Sequence, residues 1–472
     1  MPNRLLHVWT WGLLTLGASR LQAQVSYTLT YLDTTATLVG VVIEPAEPLR
    51  APVELVMPRS VPGNYSVTKF DRFVVSPQAE DAAGHRRPMI ASDLGAPRWT
   101  FADSDFLVRR IVYEIDCKRM DEELHAASDK SIIRPGFAGL LNYSVFGWID
   151  GWDRQPVTCI IRTLPSWPVF STLAPSATPV KGRLAFAAAD YYALADAQTY
   201  LGPRFRVIEY PALVPLFIAD FSEASQPDLD NFGWMESQGL RILKAYFGDL
   251  PFPCYTALFR EAVRMPADDP GNFAEEHLQS STFFGDTSRI VTTRQPDSLL
   301  WRRMASYLHH MSHAFIPLRC YSGAYRPYVP EIPPVINTIW FNEGFMWYLV
   351  ADTLKEEGMM AGFRQTVYNG PPGIRKLTMQ ELSQIASTQY ADDFRLGSAI
   401  FSRGALMAAE IDDYVRQRTG GKSSMRTIFR YLYEWSRKNS RPFTPGEFPG
   451  LLQAATGVNI RAIYDKWQGP IP

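Results

Sequence analysis

Near residue 205 the hydrophobic pattern of this 472-residue chain changes from strand-like alternation to helical spacing, so one uniform layer architecture cannot hold both halves. Before that point Ser26–Tyr31 alternates, and Thr37–Ile43, Val53–Met57 and Leu107–Ile115 are short β-branched runs. Turn signals separate them at Pro62-Gly63, Gly84, Gly95, Pro135-Gly136, Gly147 and Gly151. No helical period of useful length interrupts this half, which predicts a β-sandwich-like domain. After it, Phe232–Tyr246 reads as a helix, and Arg260–Met265, Ser280–Phe284 and Arg289–Thr293 read as strands. A long helix follows, N-capped by Asp297 or Ser298 and running to Phe315 before Pro317 stops it. Phe345 to about Lys355 is helical again. From about residue 374 the chain reads as helices. One spans Leu396–Arg418 and stops at Gly420-Gly421, and another starts from a capping box over Thr444–Glu447. The fold class is therefore multi-domain α+β, and the length suits two or three cores better than one.

Composition narrows the function. The chain is 46% hydrophobic and 20% charged, a globular balance. Net charge is −1, from 47 Lys+Arg against 48 Asp+Glu, which argues against nucleic acid or an anionic membrane as partner. The first residues resemble a secretory signal: Arg4 and His7, an apolar run Val8–Ala18, then Leu21-Gln22-Ala23 before a mature start at Gln24. This predicts a signal peptide over 1–23 and a secreted or periplasmic protein; a retained anchor is the alternative. No later stretch approaches about 18 apolar residues, so the mature chain should have no membrane span. Four cysteines, Cys117, Cys159, Cys254 and Cys320, permit disulfides in an exported protein. Cys117 with Cys159 is one possible pair, and four free buried thiols are the other reading.

The chemistry concentrates in LHHMSH. His309 and His313 stand four apart, so on a helix both rings share one face and can share one metal. Glu343, in WFNEGF thirty residues on, is the carboxylate that completes a three-ligand zinc site. A His-x-x-x-His pair alone also occurs on helix ends that bind nothing. In the zinc-peptidase pattern His-Glu-x-x-His the glutamate is the general base, and here that position is His310. On an ideal helix His310 points about 100° away from His309, so the three rings should not converge on one ion. A hydrolase needs a base for the attacking water and a donor for the developing oxyanion. Histidine at 310 leaves the first role in doubt.

These residues resemble the glycyl aminopeptidase family of zinc metallopeptidases, of the thermolysin-like, aminopeptidase N-like class. The resemblance covers nearly all of the mature chain. MPRSVPGNYSVTKFDRFV is similar to the family's Pro-x-x-x-Pro-Gly-x-Tyr segment, and LLNYSVFGWIDG to its later aromatic-glycine segment. HHMSHAFIPLR followed by IWFNEGFMWYL resembles the zinc-ligand helix and third-ligand helix. FSRGALMAAEIDDYVRQRTGGKSSM and FTPGEFPGLLQAATGVNIRAIYDKWQG resemble the later helices. The resemblance implies a signal peptide (1–23), an N-terminal β domain (24–205), a thermolysin-like catalytic domain (206–372) and a C-terminal helical domain (373–472). It implies zinc on His309, His313 and Glu343, and a peptide or protein N-terminus as partner. Glu276, in the segment Asn272–His277, matches the acid that holds the substrate's amino group, although Ala274 replaces an expected glycine. Phe401, in Phe-Ser-Arg-Gly404, stands where the family's Tyr-x-Lys-Gly places the oxyanion tyrosine, and phenylalanine has no hydroxyl. The family's PDZ-type domain is expected to be missing. Loss of base and donor with retention of ligands predicts a zinc-binding pseudopeptidase. The alternative is an active aminopeptidase using His310 or another carboxylate such as Glu275 as base.

Overall fold

The structure, a computed structural model, describes residues 24–33, 35–63, 65, 67–124, 130–176, 180, 182–221, 225–261, 274–285, 298–323, 329–355, 357–390 and 392–471. The expected signal segment, the strand expected at Arg289–Thr293 and the segment 262–273 lie outside these residues. Among the described residues no helix is long and apolar enough to cross a membrane.

The N-terminal half is β-rich, as its alternation requires. A seven-stranded sheet orders Arg183–Ala188, Val157–Thr163, Val25–Tyr31, Leu38–Pro45, Arg110–Asp116, Val74–Glu80 and Arg86–Pro88. Val25–Tyr31 buries every second residue, so one face carries Val25, Tyr27, Leu29 and Tyr31 into the core. Two four-stranded sheets complete the domain. One is built around Phe137–Leu141 and Gln198–Leu201, the other around Val53–Val56 and Arg98–Phe101. The run expected as one strand over Leu107–Ile115 changes partners at Arg109: Leu107–Val108 pairs with Leu49–Arg50, and Arg110–Asp116 joins the large sheet. Two short helices also interrupt this half, Cys117–Glu123 and Tyr191–Ala195, capped by the side chains of Asp116 and Asp190. Their one or two turns are too short to register as periodicity. All four cysteines are free and buried, so the Cys117–Cys159 disulfide does not form. Burial pushes the thiols of Cys254 and Cys320 up to about 11 and about 12, which keeps them in the unreactive protonated form.

A five-stranded sheet begins at residue 206 in the order Arg206–Tyr210, Leu216–Asp220, Tyr255–Glu261, Ser280–Gly285, Ala274–Glu276. Its inner pairs are parallel and both edges antiparallel. The strand expected at Arg260–Met265 starts earlier, at Tyr255, because its apolar residues form a continuous buried run without alternation. The first long helix, Gln226–Phe247, also starts earlier than its apolar stripe suggests. Ser225 caps it by accepting from the Asp228 amide, and a proline opens the first turn. The helix Phe394–Thr419 ends, as expected, at Gly420 in the left-handed conformation. One buried apolar cluster runs from Leu216 to Ile471 and draws on residues either side of 372/373. Tyr65, from the N-terminal half, is part of it.

Candidate metal centre

The helix Ser298–Ser312 buries Leu308 and Met311 beneath the histidines, with Met311 set against Gly239 of the neighbouring helix. It stops at Ser312, short of the expected Phe315, because the ring of Pro317 excludes the helical position of the His313 carbonyl. His309 is therefore in the last helical turn and His313 just beyond it. The His309 ring stacks on Trp347, with centroids 4.1 Å apart and planes at 18°. The His313 Nδ1 lies 2.8 Å from the Ile316 carbonyl oxygen, so Nδ1 donates and Nε2 is left as that ring's acceptor.

Glu343 arrives on a π-helical turn, Trp340–Gly344, that leads into the helix Phe345–Leu354. Such widened turns recur at functional sites because they re-aim a side chain. The His309 Nε2 is 3.1 Å from Glu343 Oε2, the His313 Nε2 is 3.4 Å from the same oxygen, and the two Nε2 atoms are 3.1 Å apart. A zinc ion with bonds of about 2.0–2.1 Å in a tetrahedral shell separates its ligands by about 3.3 Å. Two imidazole nitrogens and one carboxylate at that spacing, all buried, fit a zinc ion. The Nδ1 of His309 is buried with no hydrogen-bond partner among the described residues, so the ring is oriented by its Nε2 contacts and by the Trp347 stack.

A second carboxylate lies beside this group. Glu276, at the end of the edge strand Ala274–Glu276, has Oε2 3.4 Å from His310 Nδ1. The next residue, His277, is fully buried and faces Asp196 and Gln198 of the N-terminal half, and Asp196 also accepts from the Leu278 amide at 2.7 Å. The strand end is thereby docked onto the β domain. That domain in turn lays Gly63 and Tyr65 over the site. Gly63 has φ +89°, and a Cβ there would fall 2.2 Å from Glu276 Oε1, so only glycine fits. Two residues on, the Tyr65 hydroxyl donates to Glu343 Oε1 at 2.6 Å. Such an oxygen-fixing bond from outside the ligand set orients a metal-binding carboxylate.

The charges interlock. Burial works to lower the His313 imidazole, but the carboxylates of Glu276 and Glu343 outweigh it and raise it to about 9. Burial and the neighbouring His313 charge press His309 down to about 3. Burial would lift both carboxyls; His313 chiefly reverses this, holding Glu343 well below the carboxylate range and Glu276 below it. At neutral pH His313 is thus an imidazolium between two carboxylates, beside a neutral His309. Ion uptake through His313 Nε2 must expel that proton. Because the folded value is raised, the proton is held below about pH 9 and lost above it. Zinc affinity is therefore expected to rise about tenfold per pH unit up to about pH 9 and then level off, with roughly one proton released per ion at neutral pH. Titrations in buffers of different ionisation enthalpy read this directly. A plateau beginning near the ordinary imidazole value of about 6.5 would contradict it.

Of the residues singled out in the sequence, His309, His313 and Glu343 are brought together, and His310 meets Glu276. Phe401 is half-buried on the helix Phe394–Thr419, 5.8 Å from the Tyr390 ring, which packs edge-on against Tyr65 at 5.7 Å. Position 401 thus reaches the centre through two aromatic rings. Glu275 lies on the same short edge strand as Glu276, paired with Thr282. Sequence reasoning gave Tyr65 no role; its signal was the Pro-Gly-x-Tyr segment itself. Trp347 had no signal beyond its place one turn after Glu343.

The fold is similar to that of solved M1 aminopeptidase-like zinc metallopeptidases. The chain superimposes on an aminopeptidase N family protein from Idiomarina loihiensis with a TM-score of 0.80 at 18% identity, over 95% of this chain and 77% of that one. It superimposes on an M1 zinc metallopeptidase from Deinococcus radiodurans at 0.55 and 14% identity, covering 95% and 94%. A form of that enzyme bound to a Tyr-Ser-Ala substrate matches at 0.55 and 13% identity, over 95% and 94%. At these identities the likeness is one of fold. Residues 26–202 match the peptidase M61 N-terminal domain. No curated protein sequence matches the chain.

Proposed function

We propose that this chain is an exported, zinc-binding protein of metallopeptidase fold in which peptide hydrolysis has been lost or strongly reduced, and that it engages the N-terminus of a peptide or protein. The observation that carries the reading is His310. It occupies the base position with its Nδ1 turned to Glu276 at 3.4 Å, where the chemistry calls for a carboxylate. His309, His313 and Glu343 would hold the zinc. When bound, zinc would polarise a peptide carbonyl as a Lewis acid. Tyr65 fixes the Glu343 carboxylate, and Trp347 fixes the His309 ring. Neither His310 nor Phe401 supplies a carboxylate base or a hydroxyl donor. Glu276 is 5% exposed, roofed by Gly63 and paired with His310, so an incoming ammonium group must displace Gly63.

The test is an assay of the purified, zinc-loaded protein on short peptides with glycine or alanine first. Turnover at background level, with retained binding of the same peptides, is expected. Turnover abolished by His309→Ala would establish a working aminopeptidase and end the pseudopeptidase reading.

A further inference from the structure

We propose that His310 is a metal ligand and that the chain offers a divalent cation two overlapping positions: one at His309, His313 and Glu343, the other at Glu276, His310 and His313. The proposal rests on the zinc reading above and goes beyond it, because it gives the substituted residue a task of its own.

Ligand atoms of Glu276, His310 and His313 all lie within 4.8 Å of one another, as do those of the other set. The helix ends at Ser312, and the His313 ring just beyond it has its centroid 4.5 Å from His309 and 6.0 Å from His310, with 5.1 Å between His309 and His310. All three rings thus stay within 6.0 Å of one another, with His313 in reach of both neighbours. The contact between His310 Nδ1 and Glu276 Oε2, at 3.4 Å, is long for a charge-assisted hydrogen bond of about 2.7–2.9 Å. It is close to the edge of a zinc coordination tetrahedron, about 3.3 Å. Glu276 Oε1 is buried and has no hydrogen-bond partner among the described residues.

The two positions exclude each other. His313 Nδ1 is engaged by the Ile316 carbonyl, so Nε2 is that residue's one available lone pair and serves a single ion at a time. Occupancy is therefore one ion per chain, shared between the two positions.

Zinc binding to the full chain and its variants tests this, by equilibrium dialysis with metal analysis. The wild type is expected to bind one ion. His309→Ala should still bind one ion, about a hundredfold more weakly, through the second set. Adding His310→Ala to that variant should cost about a further hundredfold, and His313→Ala should lose both positions. Anomalous diffraction from His309→Ala crystals should place the ion among Glu276, His310 and His313, a readout that does not depend on affinity. If the wild type binds and His309→Ala binds no better than His313→Ala, or its ion lies elsewhere, the second position is refuted while the first stands. Two ions in the wild type would refute the shared lone pair. No zinc in the wild type would remove both readings.

Discussion

Joining His310→Glu to Phe401→Tyr is expected to raise peptide turnover by about four orders of magnitude over the wild type, and His310→Glu alone by about two. The first change restores a carboxylate one residue from His309. General-base catalysis by a positioned side chain contributes roughly 10²–10⁴-fold. The second adds a hydroxyl to a half-buried ring two aromatic neighbours from Glu343, so its gain requires Tyr390 and Tyr65 to give way when peptide binds. An oxyanion donor is worth roughly 10²–10³-fold. The gains should combine below their full product, because the new glutamate at 310 meets Glu276 where an imidazole now stands. Single-turnover rates on a glycine-leading peptide measure both variants, with zinc content checked beside them. One competing outcome is informative. Tyr65 already brings a hydroxyl to Glu343 Oε1. If His310→Glu alone gave the full gain, Tyr65 would be the sufficient donor and the role assigned to position 401 would fall.

The sequence showed the site in outline because its ligands are local or locally framed. Four-residue spacing is enough to pair His309 with His313, and the aromatic context of Glu343 marks a second helix start. The rest depends on where elements stop and dock. His310 meets Glu276 because the edge strand Ala274–Glu276 is docked beside the helix through His277, Leu278 and Asp196. Tyr65 meets Glu343 across 278 positions, a contact fixed by how the β domain sits on the rest of the molecule. That seating is itself set by dispersed pairs: the Arg59 and Ser60 amides donate to the Pro330 carbonyl at 2.8 and 3.0 Å, and Arg98 pairs with Glu331. No local pattern encodes such contacts. The β half was legible for the opposite reason. Period-two alternation in Val25–Tyr31 and Leu38–Pro45 maps one to one onto which face is buried. The cysteines were not legible, since an even count says nothing about which strand or helix end places each thiol.

Gly404→Ala is expected to destabilise the protein by about 3 kcal/mol and to weaken zinc binding by about one order of magnitude, although nothing at position 404 touches the ligands. Gly404 lies inside the helix Phe394–Thr419, where alanine would ordinarily gain about 1 kcal/mol of helix propensity. Packing reverses that sign. A Cβ at 404 would fall 2.1 Å from the Trp340 carbonyl oxygen and 2.9 Å from the Gly344 Cα. In the other direction, a Cβ at Gly344 would fall 2.5 Å from the Gly404 Cα. These are backbone atoms on both sides, so no side chain can rotate away, and the helix and the π-helical turn must separate. Glu343 rides on that turn, immediately before Gly344. Its Oε2 holds both histidines within 3.4 Å, and a displacement of a few tenths of an ångström spoils that spacing. Gly362→Ala provides the control. It sits in the helix Glu357–Asn369 with open space around the would-be Cβ, and should stabilise by about 0.4–1 kcal/mol with zinc affinity unchanged. Urea midpoints and zinc competition on the two variants decide the matter. A Gly404→Ala protein as stable as the wild type, or one destabilised with its zinc affinity intact, would break the link drawn here between that close approach and the seating of Glu343.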